Sequence, residues 1–230
     1  MRHYCRVGTL SLPSPLLVDK PSGVTSHDVV DWVRYVTGVK KVGHAGTLDP
    51  LATGLLIILI GRQWTKRQVE FLKQDKTYLV SCQFGLVSDT YDVDGSVRPL
   101  TDVAKVNDQK VKQVVNKHFL GEIAQIVPPF SAVKQKGKRL YKLARAGQVS
   151  KTGLPQRQVR VDEFRLLSFD KTTQTASFKI SVSSGTYIRS LIHDLGQKLF
   201  TGAVVTSLRR TRIGQFSLDK AFLCPVVNIP

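Results

Sequence analysis

Acidic residues are scarce. The 230 residues hold 17 Asp and Glu against 34 Lys and Arg, a formal net charge of +17. So one-sided a balance raises the local concentration of a polyanion and speeds its capture. Nucleic acid is the first partner this suggests and an anionic membrane surface the second; a basic soluble protein with neither partner has the same composition. Cysteine is scarce too. Cys5, Cys82 and Cys224 lie far apart, an odd, sparse set that argues against a disulfide framework and fits a reducing compartment. No Cys/His cluster has metal-ligand spacing, so no metal is expected. The longest apolar run, residues 55–60, is far too short to cross a bilayer. The start, Met1 to Arg6, leads into no long apolar stretch, so no signal peptide is expected. These absences together predict a cytoplasmic protein without membrane contact. Also missing are a phosphate-binding Walker loop, GxGxxG and HExxH, which leaves nucleotide-triphosphate, dinucleotide and zinc-protease chemistry unsupported. Ser183-Ser184-Gly185 is not a GxSxG elbow.

What is present is periodic. The hydrophobic content, 42%, suffices for one core, and no repeat or low-complexity linker divides the chain, so a single domain over 1–230 is expected. Ser26 is placed to cap a helix running to about Val36, with Val29, Trp32, Val33 and Val36 on one face and Gly38 at its end. A glycine-punctuated loop, 43–50, precedes the apolar run, which reads as a buried strand. Thr65 is expected to cap a short helix with Val69 and Leu72 inward. Residues 76–84 alternate, Tyr78, Val80, Cys82 and Phe84 sharing one strand face. A polar, aspartate-rich loop, 88–95, follows, then a helix at 107–119 through Val111, Val114, Val115 and Phe119. Ala176, Phe178, Ile180 and Val182 alternate as a strand. Ser183-Ser184-Gly185 turns the chain, and Ile188, Leu191, Ile192, Leu195 and Leu199 follow a helical period. Gly202 ends that helix and 204–212 returns as a strand. Strands and helices mix without a βαβ rhythm, which predicts an α+β fold with a mainly antiparallel sheet.

Residues 126–151 stand apart. They open on Val127-Pro128-Pro129 and carry Lys134, Lys136, Lys138, Arg139, Lys142, Arg145 and Lys151 with two rings, Phe130 and Tyr141. Seven cations in 26 residues suggest a basic excursion that touches phosphates; a solvated surface helix with a loop is the alternative.

The segment with most chemistry runs from Gly43 to Gly54: Gly43-His44-Ala45-Gly46-Thr47-Leu48-Asp49-Pro50-Leu51-Ala52-Thr53-Gly54. Glycines permit unusual backbone angles and close approach of a ligand. Pro50 biases Asp49 toward an extended conformation, and the buried run that follows would anchor the loop. An isolated Asp-Pro is ordinarily a turn; the whole segment, however, resembles the catalytic motif of TruB-type pseudouridine synthases. Further segments agree, in the family's order. They are Asp19-Lys20-Pro21-Ser22-Gly23-Val24-Thr25-Ser26, Asp75-Lys76-Thr77-Tyr78 and Pro128-Pro129-Phe130-Ser131-Ala132-Val133-Lys134 with Gly137-Lys138-Arg139-Leu140-Tyr141 and Ala144-Arg145. Ser184-Gly185-Thr186-Tyr187-Ile188-Arg189-Ser190-Leu191 and Leu208-Arg209-Arg210-Thr211 complete the set. The resemblance covers about residues 18–221.

It implies the pseudouridine synthase fold, a bent, mainly antiparallel mixed sheet with flanking helices and a basic insertion, here 126–151. It implies an enzyme that isomerises uridine to pseudouridine at position 55, in the T loop of tRNA, flipping the base and using no metal or cofactor. Asp49 would be the catalytic carboxylate. Arg189 would pair with it, Tyr78 would stack on the extruded uracil, and Tyr187 and Leu208 would complete the pocket wall. His44 would help displace the target nucleotide, and Lys20 and Pro21 would support the loop. Lys134, Lys136, Lys138, Arg139, Lys142, Arg145, Arg209 and Arg210 would bind RNA. A monomer acting on the T arm is expected. The chain stops at Pro230, soon after the last motif, so the small C-terminal RNA-binding, PUA-like domain of many members is not expected. Two other readings are a tRNA-folding chaperone with secondary catalysis and a related synthase acting on another RNA.

Overall fold

The computed structural model describes residues 11–101, 103, 105–135, 137–149 and 153–224. In chain order, β1 (Leu16–Lys20) leads to α1 (Ser26–Thr37), β2 (Val42–Ala45), β3 (Thr53–Ile60), α2 (Arg62–Thr65), α3 (Gln68–Leu72) and β4 (Lys76–Phe84). Then come β5 (Leu86–Val87), β6 (Arg98–Pro99), α4 (Asp108–His118), β7 (Gly121–Ile126), β8 (Lys134–Gln135), β9 (Lys138–Arg139), α5 (Leu140–Arg145), β10 (Gln156–Asp170) and β11 (Thr175–Val182). The last elements are α6 (Ile188–Lys198), β12 (Ala203–Ile213), β13 (Phe216–Ser217), a 3-10 turn at Leu218–Lys220 and β14 (Phe222–Leu223). The ladders are mostly antiparallel, with parallel pairs at β1–β14 and β3–β12, so the sheet is mixed and the class α+β. Two compact units form: residues 1–78 with 208–230, and residues 79–207.

In the first unit the strand order is β14, β1, β3, β12, with β2 paired to β3. β3 is buried on both faces, which is why its sequence is an unbroken apolar run. Leu56 and Ile58 pack with Leu16, Val18, Val29, Val30 and Val33 beneath α1. Leu55, Ile57 and Leu59 pack on the other side with Phe71 and Ile213. The cap of α1 lies one residue earlier than expected. Thr25, not Ser26, is the N-cap, closing a capping box with Asp28, and Gly38 ends the helix at φ 68°. Two other expectations are corrected. Gly43 to Ala45 belongs to a strand rather than a loop, because the edge of β3 offers it a ladder. And Val69 and Leu72 face outward, 55% and 36% exposed, while Phe71 enters the core; Thr65 closes α2 rather than capping α3, which has no side-chain cap.

In the second unit β11 lies beside β10, and β10 beside β7. The alternation of β11 buries Ala176, Phe178, Ile180 and Val182. Phe164 of β10 meets Phe178 edge-on at 5.1 Å and Phe119 at 5.7 Å. α4, capped by Asn107, contributes Val111, Val114 and Val115; α6 contributes Leu191, Ile192 and Leu195. Ile126 pairs with Gln156, so the described residues among 127–155 form an excursion between two antiparallel neighbours. It contains the β8–β9 hairpin and α5, pinned by buried Leu140, whose N–H donates to Val133 O.

Candidate active site

The loop carrying Asp49 is held from three sides, all within the first unit. Lys20, at the end of β1, is fully buried. Its ammonium donates to Pro21 O (2.8 Å), Val24 O (2.7 Å) and Pro50 O (3.3 Å). Ser26 Oγ accepts from Leu48 N (2.9 Å) and donates to Leu48 O (3.1 Å). Arg210, 1% exposed, donates from Nε to Leu55 O (2.7 Å) and from Nη2 to Gly46 O (2.9 Å). Gly23 N donates to Pro50 O as well, and Ala52 N closes a turn onto Asp49 O. Asp49 is half-buried, with its neighbours on both sides fixed to the fold. One contact dictates residue type: at Gly54, φ 99°, a Cβ would lie 2.3 Å from Arg210 O, because β3 and β12 meet there.

Electrostatics follow from burial. Desolvation lowers Lys20 from its ordinary range to about 8; Asp49 acts against that shift and Arg210 with it. Lys76, buried and donating to Leu72 O and Gln74 O, is lowered to about 8 by desolvation and then by Arg210. His44 lies on β2 opposite Ile58, its carbonyl accepting from Gln68. Burial, then Arg210 and His27, hold its pKa below the usual value, so its ring is neutral at pH 7, and its buried Nδ1 has no hydrogen-bond partner. Tyr78 and Leu208 are both buried.

The second unit holds the other residues. Arg189 stands in the first turn of α6 and is 5% exposed. Its guanidinium meets Asp92 (3.4 Å) and donates to Thr90 O (2.5 Å) and Phe130 O (3.0 Å), tying the aspartate-rich loop to the base of the excursion. Gln125 grips the backbone of Tyr187 twice, Tyr187 N donating to its Oε1 (2.7 Å) and its Nε2 donating to Tyr187 O (3.0 Å). Lys134, Lys138, Arg139, Lys142 and Arg145 are all exposed. Lys136 lies outside the described residues.

A model of the TruB family pseudouridylate synthase N-terminal domain matches residues 34–188, and one of the tRNA pseudouridylate synthase B C-terminal domain matches 189–224. The protein named tRNA pseudouridine synthase B from Endomicrobium trichonymphae is 45% identical over 207 residues, 90% of this chain and 87% of its own. Its namesake from Aquifex aeolicus (strain VF5) is 45% identical over 206 residues, 90% of this chain and 70% of its own. The chain belongs to the TruB family of pseudouridylate synthases. Among solved structures, a chain from the crystal structure of a Cbf5-Nop10-Gar1 complex superposes with a TM-score of 0.69 at 31% identity. The match covers 90% of this chain and 51% of that one, so this chain spans about half its length.

One expectation about this TruB-family chain is corrected. Arg210 does not present its guanidinium to RNA: it is buried and donates to Gly46 O in the Asp49 loop and to Leu55 O in β3, a structural clamp. Arg209, its neighbour on the opposite face of β12, is partly exposed but paired with Asp19 at 2.6 Å and 3.2 Å. Sequence reasoning also passed over Ser26, Lys76, Asp92 and Gln125 as site supports. The first two sit inside quoted motifs, so the signal was there; Asp92 and Gln125 carry none beyond residue type. Among the described residues no group of three or more His, Cys, Asp and Glu is placed to hold a metal ion.

Proposed function

We propose that this protein isomerises uridine to pseudouridine at position 55 in the T loop of tRNA, with Asp49 as the catalytic carboxylate. The observation that carries the reading is the loop anchorage. The loop that bears Asp49 is fixed by Lys20, Ser26 and Arg210, in a segment that resembles the family's catalytic motif. Preorganisation of this kind is what a reacting group requires.

The chemistry asks for little else. The N1–C1′ bond breaks, the base turns, C5 bonds to C1′, and the C5 hydrogen leaves as a proton while N1 gains one. Substrate and product are isomers, so no electrons, water or group donor enter. An ionised carboxylate serves such a reaction by attacking the sugar or by stabilising the positive charge that develops on it. The family resemblance supports further roles. By it, Arg189 would pair with Asp49, Tyr78 would stack on the extruded uracil, Tyr187 and Leu208 would complete the pocket wall, and His44 would help displace the nucleotide. Unstacking the uridine costs a few kcal/mol; contacts from exposed Lys134, Lys138, Arg139, Lys142 and Arg145 to phosphates would offset it. The protein would act as a monomer, its catalytic domain carrying 126–151 as an RNA-binding insertion. Mapping pseudouridine in unmodified tRNA after incubation tests the target. Conversion confined to the T loop is expected, with an isolated T-arm hairpin also modified; conversion elsewhere would assign the enzyme to another RNA site.

A further inference from the structure

Phe200 is the most exposed large hydrophobic side chain among the described residues, at 87%. It also holds φ 58°, a conformation that non-glycine residues seldom adopt. The turn leaves it no alternative. Thr201 N and Gly202 N both donate to Gly196 O, and Phe200 N donates to Gln197 O. Gly196 and Gly202 are pinned, since a Cβ on either would strike backbone atoms at 2.3 Å and 2.6 Å. Phe200 therefore combines two costs, an exposed ring and a strained backbone, where glycine or asparagine would carry neither.

Its surroundings are cationic. A groove of about 280 Å³ runs from Phe200 along α4, floored by Val114 and Leu199. Lys110 and Lys117, two turns apart on α4, line it with Lys198 and His118. None of the three lysines makes an ion pair with a carboxylate among the described residues, whereas Lys112, also on α4, is paired with Asp108. The groove thus offers one planar ring, a closed apolar floor and a rim of ammonium groups, of which Lys198 also feels the Asp194 carboxylate on its own helix. A protein partner would call for a wider apolar surface. A single base with its flanking phosphates fits: the ring is a stacking platform that tolerates any base, and the lysines displace counterions.

We propose that Phe200 with Lys110, Lys117 and Lys198 forms a second RNA-binding surface, which stacks one unpaired base and holds the adjacent phosphates. It uses no residue of the Asp49 site and goes beyond the isomerisation reading.

The test is binding of an unstructured oligoadenylate carrying one 2-aminopurine, a ligand without uridine and so outside the catalytic reading. Phe200→Gly suits the local φ, and its melting temperature should equal or exceed that of the wild type. Its affinity should fall five- to tenfold with loss of the stacking-dependent fluorescence change, while Phe200→Trp keeps both. Replacing Lys110, Lys117 and Lys198 with Gln should lower the affinity and flatten its salt dependence. Wild-type binding by Phe200→Gly overturns the proposal. So does a loss confined to the lysine variant, which would leave a charged surface without a base site. If neither variant changes RNA affinity and the groove instead captures an acidic peptide, the surface serves a protein partner and the RNA proposal fails. Failure of the Asp49 assignment would appear only in turnover.

Discussion

Lys20 buries a charged ammonium completely and spends it on three carbonyls, one of them the carbonyl of Pro50 beside Asp49. Lys20→Met strands those acceptors and frees the loop. Displacing a catalytic group by about 1 Å costs roughly a hundredfold, and a loss of that order in kcat/KM is expected. The pH dependence follows with a definite sign. The folded-state pKa of Lys20 is about 8 against an ordinary 10.5, so below pH 8 the ammonium is charged in both states and the fold bears its desolvation. Between about 8 and 10.5 the unfolded chain holds the extra proton, so this residue's contribution to stability rises with pH. Activity should move the other way, since the loop loses a charged donor. A pH–rate profile falling through about 8 in the wild type, with wild-type stability rising relative to Lys20→Met over the same window, is the expected pair. A flat wild-type profile to pH 9.5 would remove Lys20 from the site's electrostatics.

Elements with clean periodicity were legible before the structure. The alternation at Tyr78, Val80, Cys82 and Phe84 is the inward face of β4, and Val111, Val114 and Val115 are the inward face of α4. β10 was not legible. Its register shifts between Val161 and Glu163 and again between Leu166 and Ser168, so its buried residues fall out of the two-residue period that reveals a strand. Arg210 is misread in the sequence because type and motif cannot distinguish a guanidinium aimed at phosphate from one aimed at carbonyls; only the parallel pairing of β3 with β12 decides. That pairing makes a second prediction. Gly54→Ala forces a Cβ against the Arg210 backbone at φ 99°, and a loss of about 2–4 kcal/mol in unfolding free energy is expected by denaturant titration. A loss under about 0.5 kcal/mol would mean that β3 and β12 separate freely. The excursion supplies the third. Reversing Lys134, Lys138 and Arg139 together should weaken tRNA binding and reduce the slope of log K against log salt, because each phosphate contact releases counterions. Unchanged affinity and slope would make it a bystander.

For the whole molecule, +17 of net charge and a carboxylate on an anchored loop would divide the work between capture and chemistry. In the proposed reading the charge draws in any RNA, and the loop acts on one nucleotide. These contributions separate experimentally, because Asp49→Asn removes the ionised group and keeps the side chain's size. The decisive measurement is release of tritium from C5 of uridine in tRNA by purified Asp49→Asn, with tRNA affinity measured in the same buffer. Release should be abolished while affinity stays within a few fold of the wild type. Near-normal release by Asp49→Asn would contradict the Asp49 assignment and place the reacting group elsewhere.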